Sequence, residues 1–254
     1  MKPSFKNADR PLLCAMVQSE TVDEAIAIIA NSEYDGAESY GIQLENLRRD
    51  QRTEDNLKRL FAACKNRPIY VTCYRNSHST GMTDDECAEY MLLAAKCGAT
   101  LIDVMGDLYC PDPIEITYNT EAVIKQERLI KKLHDLGAEV LISSHFHKFI
   151  DEEGVVKIAK EQERRGADIC KMVSFATTED ELVADLKICH RLKKELNSKF
   201  LFLANGAHCK LLRQIGPMLG VCMWLCVQRY RPINSKEQPQ LRAMREMRSN
   251  MAFF

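Results

Sequence analysis

The feature that most constrains the fold is a regular alternation of short apolar runs with longer charged, amphipathic segments. The eight runs cover residues 12–17, 36–42, 69–74, 100–105, 139–144, 168–173, 200–203 and 220–227. A short apolar run with a helix behind it is typical of a parallel strand buried on both faces. Eight such units in 254 residues favour a closed (β/α)8 barrel over an open doubly wound sheet. No linker interrupts the series, so the sequence predicts a single α/β domain over residues 1–254.

The segments between the runs have the expected helix termini. They lie near residues 22–31, 54–65, 84–96, 121–136, 153–165, 179–196, 209–215 and 238–247. Thr21, Thr83 and Thr178 each precede an acidic first turn, which is favourable at a helix N-terminus. Gly98 and Gly166 follow two of the segments, where a left-handed residue commonly ends a helix. Residues 16–21 contain no glycine, which argues against a dinucleotide-binding loop after the first strand.

Composition and charge exclude several classes of protein. The 35 basic and 36 acidic residues give a net charge of −1, so the chain lacks the positive field expected of a nucleic-acid-binding protein. Residues 1–10 are polar, and the longest uncharged stretch, residues 214–228, is too short to span a bilayer. We therefore expect no signal peptide and no membrane partner. The eleven cysteines are scattered without a Cys-x-x-Cys pair, which indicates free thiols in a reducing cytoplasm.

Lys171 is the most informative polar residue of the predicted strands. It interrupts residues 167–173, a run that otherwise predicts a buried strand. Active sites of (β/α)8 barrels lie at the carboxyl ends of the strands, and an inward-pointing lysine there is deprived of water. Burial favours the neutral amine, the form that attacks a ketone to give a Schiff base. Two roles remain open at this point: an imine-forming nucleophile, or a surface or salt-bridged lysine at the end of a strand.

His145 ends the predicted strand that precedes the strand of Lys171. Consecutive strands are neighbours in a barrel, so the imidazole and the amine are expected side by side, where His145 would move protons during imine chemistry. A second hypothesis is a metal-dependent sugar isomerase or epimerase with carboxylate and imidazole ligands on the same rim. Those candidate ligands are Glu38, Asp103 or Asp107, His145 and His208.

Two ordered motifs resemble those of type I 3-dehydroquinate dehydratase. Ser143-Ser144-His145 is similar to the family's Ser-x-His motif, and Ala167-Asp168-Ile169-Cys170-Lys171 is similar to its Ala-Asp-(Ile/Val)-x-Lys motif. Residues 67–75 resemble the family's Pro-(Val/Ile)-x-x-Thr-x-Arg strand, and residues 22–25 and 36–38 also fit. The similarity extends over nearly the whole chain.

The resemblance implies a homodimeric (β/α)8 barrel that removes water from a small keto-acid, 3-dehydroquinate, to give 3-dehydroshikimate in the shikimate pathway of aromatic amino acid biosynthesis. Lys171 would form the imine and act as the electron sink, while His145 would assist imine formation and transfer protons. No cofactor and no metal ion are implied. Arg213 would bind the substrate carboxylate, and residues 235–240 would form a closing lid. The residues that the resemblance implies for substrate binding are Glu38, Arg75, Arg213, Ser235 and Gln240.

The chain departs from the family at positions that face the substrate. The arginine and aspartate of the family's Glu-x-Arg-x-Asp motif are absent, with Tyr40 and Ile42 in their places, and Ser79 stands where a glutamate supports the histidine. Leu203 and Asn205 replace methionines. The sequence therefore predicts a metal-independent Schiff-base lyase acting on 3-dehydroquinate or a related keto-acid. The metal-dependent isomerase and a non-catalytic dehydratase-like binding protein remain as alternatives.

Overall fold

Strands and helices alternate along the chain in the computed structural model, which describes residues 3–234 and 236–251. The strands are β1 (Leu12–Val17), β2 (Ser39–Gln43), β3 (Ile69–Thr72), β4 (Leu101–Met105), β5 (Glu139–His145), β6 (Ile169–Phe175), β7 (Lys199–Asn205) and β8 (Met223–Cys226). The helices are α1 (Val22–Tyr34), α2 (Glu54–Ala63), α3 (Asp84–Cys97), α4 (Thr120–Asp135), α5 (Glu152–Arg164), α6 (Glu179–Glu195), α7 (Cys209–Ile215) and α8 (Leu241–Ser249). Each predicted apolar run coincides with one strand, which confirms the predicted α/β class.

The strands form one parallel sheet that curls into a barrel. Their order is β8-β1-β2-β3-β4-β5-β6-β7, and Ser143 of β5 lies opposite Lys171 of β6. A parallel bridge between Phe200 and Val221 joins β7 to the segment that leads into β8. The predicted (β/α)8 barrel is therefore confirmed, with its closure at this bridge.

Local capping interactions fix where the helices begin and end. The Thr83 hydroxyl accepts a hydrogen bond from the backbone N–H of Glu86, whose carboxylate accepts one from the Thr83 N–H. Thr178 and Glu181 make the same reciprocal pair before α6. Gly98 follows α3 with a φ of 113°, a conformation that side chains rarely adopt. These contacts confirm the predicted helix starts after Thr83 and Thr178 and the predicted helix end at Gly98, whereas α8, predicted over residues 238–247, covers Leu241–Ser249.

The second strand begins later than its apolar run predicts. Gly36 has a φ of 96° and still belongs to the turn after α1, so β2 starts at Ser39. Glu38 consequently precedes the strand and accepts a hydrogen bond from the backbone N–H of Leu13, near the start of β1. It lies at the amino-terminal end of the barrel, opposite the end where active sites of this fold are found.

The N-terminal segment covers the amino-terminal end of the barrel. Phe5 is buried, and its backbone N–H donates to Glu139 Oε2 at 2.9 Å. Lys199 Nζ donates to the Phe5 carbonyl at 3.3 Å.

All eleven cysteines are free thiols. Among the described residues, none of the helices is long and apolar enough to cross a bilayer.

Candidate active site

A cavity of about 170 Å³ lies at the carboxyl ends of the strands. Of the predicted catalytic and binding residues, Lys171, His145 and Arg213 line it together, and Leu203 and Asn205, expected to face the substrate, line it as well. The wall also contains polar side chains that the sequence analysis did not select: Gln43, Tyr70, Tyr74 and Gln238. The strands therefore bring the predicted amine and imidazole into one cavity, but several of the polar residues around them are not the predicted ones.

Lys171 points into the barrel rather than to its surface. The residue is 4% exposed, and its Nζ donates hydrogen bonds to Tyr74 Oη at 2.5 Å, Tyr70 Oη at 3.1 Å and Asp103 Oδ2 at 3.2 Å. The amine is thus held in the cavity by three oxygens. This excludes a surface position for the lysine, whereas the salt bridge that the sequence had also left open is present, with Asp103 as the partner.

Asp103 organises the groups around the amine. Its Oδ2 accepts hydrogen bonds from the hydroxyls of Tyr70 and Tyr74, the latter at 2.6 Å, and its Oδ1 accepts one from Ser143 Oγ at 2.5 Å. Burial, reinforced by the negative charge of Asp103, raises the pKa of both tyrosines well above the ordinary value of 10.0. Both phenols therefore remain protonated at neutral pH.

His145 is held by Glu115, which lies in the irregular segment between β4 and α4. Glu115 Oε2 is 2.7 Å from His145 Nδ1 and also accepts a hydrogen bond from the His145 backbone N–H at 3.1 Å. Burial opposes the charge of Glu115, but the hydrogen bonds and charge of His145 outweigh it and lower the carboxyl pKa. An ionised Glu115 accepts the Nδ1 hydrogen, so Nε2 is the nitrogen that can take a proton.

The position of Glu115 depends on an unusual backbone conformation. Its φ is 49°, which costs a non-glycine residue about 1–3 kcal/mol and occurs often at functional sites. Ser144 Oγ donates to the Glu115 carbonyl at 2.8 Å, and a side chain added at Gly106 would approach that carbonyl to 2.6 Å. The loop is therefore pressed against β5. Glu115 supports the histidine from here, whereas Ser79, at the family's glutamate position, instead accepts a hydrogen bond from Arg52 at 3.0 Å.

Arg213 is buried at the cavity wall with neutral partners. Its Nε donates to the Ala204 carbonyl at 2.6 Å and its Nη2 donates to Asn205 Oδ1 at 2.7 Å. Both oxygens orient the guanidinium without neutralising it. A carboxylate on a ligand could bind the guanidinium in a fork-shaped contact, in addition to the negative charge of Glu237 that already acts on it.

Glu38 does not belong to this site. It pairs with Arg10 at 2.7 Å and with Arg248 at the amino-terminal end of the barrel. The prediction that Glu38 binds substrate is wrong, because β2 begins after this residue. The same placement removes Glu38 from the candidate metal ligands. Within residues 3–234 and 236–251, no three His, Cys, Asp or Glu side chains are grouped so that they could hold a metal ion.

Gly41 and Gln43 of β2, and Glu45 just after it, occupy positions that face the inside of the barrel. A side chain added at Gly41 would collide with Met16 of β1, Gln43 lines the cavity, and Gln43 Nε2 donates to Glu45 Oε1 at 2.9 Å. Burial raises the pKa of Glu45. These residues have the spacing of the family's Glu-x-Arg-x-Asp motif, with glycine and glutamine at its first two positions and a glutamate at the third. Because side chains alternate between the two faces of a strand, the sequence could have predicted that these three positions share one face.

Arg75 points away from the cavity, contrary to the prediction. Its guanidinium pairs with Asp84 at 2.7 Å and with Asp107 at 2.8 Å. The adjacent residue, Tyr74, lines the cavity because successive side chains of an extended segment alternate in direction. Counted from Pro68, Tyr74 also occupies the arginine position of the Pro-(Val/Ile)-x-x-Thr-x-Arg pattern.

The lid residue that reaches the cavity is Gln238 rather than Gln240. Gln240 is exposed and immediately precedes α8, whereas Gln238 is buried in the cavity wall and its carbonyl accepts a hydrogen bond from Tyr230 Oη at 3.1 Å. Ser235, the other predicted lid residue, lies outside the residues that the structure describes.

Comparisons with known proteins identify the family and the fold of the chain. The sequence matches the family Type I 3-dehydroquinase over residues 13–252. The structure is similar to 3-dehydroquinate dehydratase from Geobacillus kaustophilus HTA426, with a TM-score of 0.82 and 15% identity over 97% of this chain and 94% of that one. It is also similar to the type I enzyme from Clostridium difficile, solved with covalently modified comenic acid, with a TM-score of 0.80 and 15% identity over 97% of this chain and 96% of that one. No curated protein matches the sequence. The chain therefore belongs to the type I 3-dehydroquinase family of metal-independent hydro-lyases, which dehydrate 3-dehydroquinate.

Proposed function

We propose that Lys171 is the imine-forming nucleophile of this dehydratase and that His145 carries the protons of the elimination. The observation that carries the proposal is the buried amine of Lys171, 4% exposed, in the same cavity as His145 at the carboxyl ends of the strands. Burial of an amine costs free energy, because the group loses its hydration and must be compensated by hydrogen bonds within the protein. Such a cost is expected where the buried amine has a function.

The reaction begins with attack of neutral Lys171 on the ketone carbon of 3-dehydroquinate. The carbinolamine that results loses water and becomes a protonated imine. The positive nitrogen withdraws electrons from the neighbouring carbon and makes its hydrogen acidic. Covalent catalysis of this kind replaces one difficult step with two easier ones.

His145 then completes the elimination. Its Nε2 removes the hydrogen next to the imine carbon, and the electron pair left behind forms an enamine. The enamine expels the hydroxyl group on the next carbon, which takes the proton from His145 and leaves as water. Hydrolysis of the imine releases 3-dehydroshikimate and restores Lys171. Glu115, 2.7 Å from Nδ1, stabilises the imidazolium formed between the two proton transfers.

Substrate recognition is assigned to Arg213, Gln43 and Gln238. The guanidinium of Arg213 has neutral partners and would bind the substrate carboxylate. Gln43 Oε1 and Gln238 Oε1 are buried and have no hydrogen-bond partner among the described residues. Buried polar atoms normally find partners, so hydroxyl groups of the substrate are suitable donors for both.

We also propose that the chain acts as a single domain in a cytoplasmic homodimer, in aromatic amino acid biosynthesis, without nucleic-acid or membrane partners. Eleven free thiols support a reducing compartment. A net charge of −1 supports a small-molecule substrate rather than nucleic acid. The family relation supports the dimer and the pathway.

The proposal is tested by comparing Lys171→Met with Lys125→Met in a dehydration assay that follows the conjugated enone product. Lys125 is a surface lysine paired with Asp85 at 2.6 Å, so its loss controls for the removal of a positive charge. Lys171→Met is expected to lower kcat by at least about a thousandfold, while Lys125→Met retains wild-type kcat. Circular dichroism verifies that both variants are folded.

The outcomes separate the remaining hypotheses. An active Lys171→Met enzyme contradicts the imine mechanism. Binding of 3-dehydroquinate to the wild-type protein without turnover would support the non-catalytic binding protein instead.

A further inference from the structure

Tyr74 holds a position between the amine, the carboxylate and the imidazole of the site. Its hydroxyl is 2.5 Å from Lys171 Nζ and 2.6 Å from Asp103 Oδ2. Its ring meets the His145 ring edge-on, with 5.2 Å between the ring centres and an angle of 85°. The same hydroxyl thus bridges the amine to a buried carboxylate.

The surroundings of Lys171 match an ammonium group. Three oxygens, from Tyr70, Tyr74 and Asp103, lie within 3.2 Å of Nζ, one for each N–H bond of an ammonium. The nucleophile that attacks a ketone is the neutral amine. A proton must therefore leave Nζ before the imine can form, and water is scarce at a residue that is 4% exposed.

We propose that Tyr74 is a catalytic residue that relays a proton between Lys171 and Asp103 during imine formation. This inference rests on the proposed function of Lys171. As an N–H bond of the ammonium breaks, its proton passes to Tyr74 Oη, and the original hydroxyl proton of Tyr74 passes to Asp103 Oδ2. The products are a neutral amine, an unchanged phenol and a protonated carboxyl group.

The relay runs in reverse when the carbinolamine loses water. Asp103 returns its proton to Tyr74, and Tyr74 gives its own proton to the hydroxyl group on the carbon bonded to Nζ. The C–O bond breaks, water leaves, and the nitrogen lone pair forms the C=N bond. Asp103 is again a carboxylate beside the positive imine, so charge and atoms balance over the two steps.

A relay fits the chemistry of Tyr74 better than a permanent base. Burial and the charge of Asp103 raise the pKa of Tyr74, which makes a free phenolate unfavourable. In a relay the phenol receives one proton while it gives up another and never becomes an anion. Tyr70 has the same surroundings but lies farther from the amine, at 3.1 Å, and serves mainly to orient Asp103.

The test measures the single-turnover rate at which borohydride-trappable imine forms, at saturating 3-dehydroquinate, in the wild type and in Tyr74→Phe. This variant keeps the ring against His145 and removes only the hydroxyl. Imine formation is expected to slow about a hundredfold, the lower limit for general acid–base catalysis, with KM nearly unchanged. The slowing of wild-type imine formation in D2O should disappear or shrink in Tyr74→Phe, which loss of packing alone would not produce.

Two further variants keep the test decisive. Asp103→Asn removes the proton acceptor and is expected to slow the same step at least as much, whereas Tyr70→Phe should slow it less than Tyr74→Phe. Imine formation in Tyr74→Phe within twofold of the wild-type rate, or an unchanged solvent isotope effect, overturns the relay. Absence of a trapped imine in the wild-type enzyme would contradict the proposed function itself, and so the two failures are distinguishable.

Discussion

The two sides of the cavity differ in what they retain from the family's chemistry. The β5–β6 side presents the amine of Lys171 and the imidazole of His145, backed by the charge of Glu115. The β2–β3 side presents neutral groups, Gln43 and Tyr74, at positions where the family patterns have arginine. The proposed bond-making groups and the proposed substrate-facing groups thus lie on different strands of the barrel. One set can change while the other is kept, because each strand end is positioned by its own part of the sheet.

Substitution of the imidazole on the β5–β6 side has the largest expected effect in this comparison. His145→Gln removes the proton carrier and is expected to lower kcat by about 10²- to 10⁴-fold. Glu115→Gln leaves the imidazole in place and should cost less. Steady-state kinetics of both variants, with folding checked by circular dichroism, measure the effect. Activity of His145→Gln within tenfold of the wild type would contradict the assigned proton transfers.

Substitutions that act on substrate recognition should change KM more than kcat. Arg213→Met removes a charged hydrogen bond worth about 1.5–3 kcal/mol, so KM is expected to rise about 10- to 100-fold. Gln43→Ala on the β2–β3 side removes a neutral contact and should raise KM less than tenfold. If Gln43→Ala proves the more damaging of the two, the assignment of the carboxylate to Arg213 is wrong.

A buried carboxyl group in the helical layer, outside the cavity, is expected to affect stability but not catalysis. Asp185 of α6 is fully buried, its oxygens accept no hydrogen bond from the described residues, and burial raises its pKa from 3.8 to about 7. The folded state binds this proton more tightly than the unfolded state does. Its contribution to stability is therefore complete below pH 4 and is lost as the pH rises through 7.

Asp185→Asn should remove that pH dependence without a change in kcat. Between pH 5 and pH 8 the wild type is expected to lose about 3 kcal/mol more of its free energy of unfolding than the variant does. Urea unfolding at both pH values gives the comparison. Parallel losses in the two proteins would show that Asp185 is not protonated in the folded state.

The fold and the central pair of the site could be predicted because both follow from regular structure. Apolar runs locate the strands, and Lys171 and His145 lie on two neighbouring strands, where the alternation of side chains and the family motifs agree. The predictions for Glu38 and Arg75 fail for two different reasons. Arg75 is one residue from Tyr74, and an error of one residue in register reverses the direction of a side chain. Glu38 lies at the opposite end of the barrel because β2 begins only at Ser39.

Glu115 could not be predicted from the sequence. It lies between β4 and α4, where no hydrophobic period constrains the chain, and its left-handed backbone has no local sequence signal. Contacts with Gly106 and Ser144, distant in sequence, bring it to His145. Residues in irregular segments take their positions from the tertiary structure, so only coordinates reveal them.

The most direct measurement is peptide mass spectrometry after borohydride reduction of the wild-type protein with 3-dehydroquinate. The account predicts one secondary-amine adduct, of substrate or dehydrated product, on the peptide that contains Lys171, and none in Lys171→Met. An adduct on another lysine, or steady turnover of 3-dehydroquinate with no adduct trapped, would contradict it.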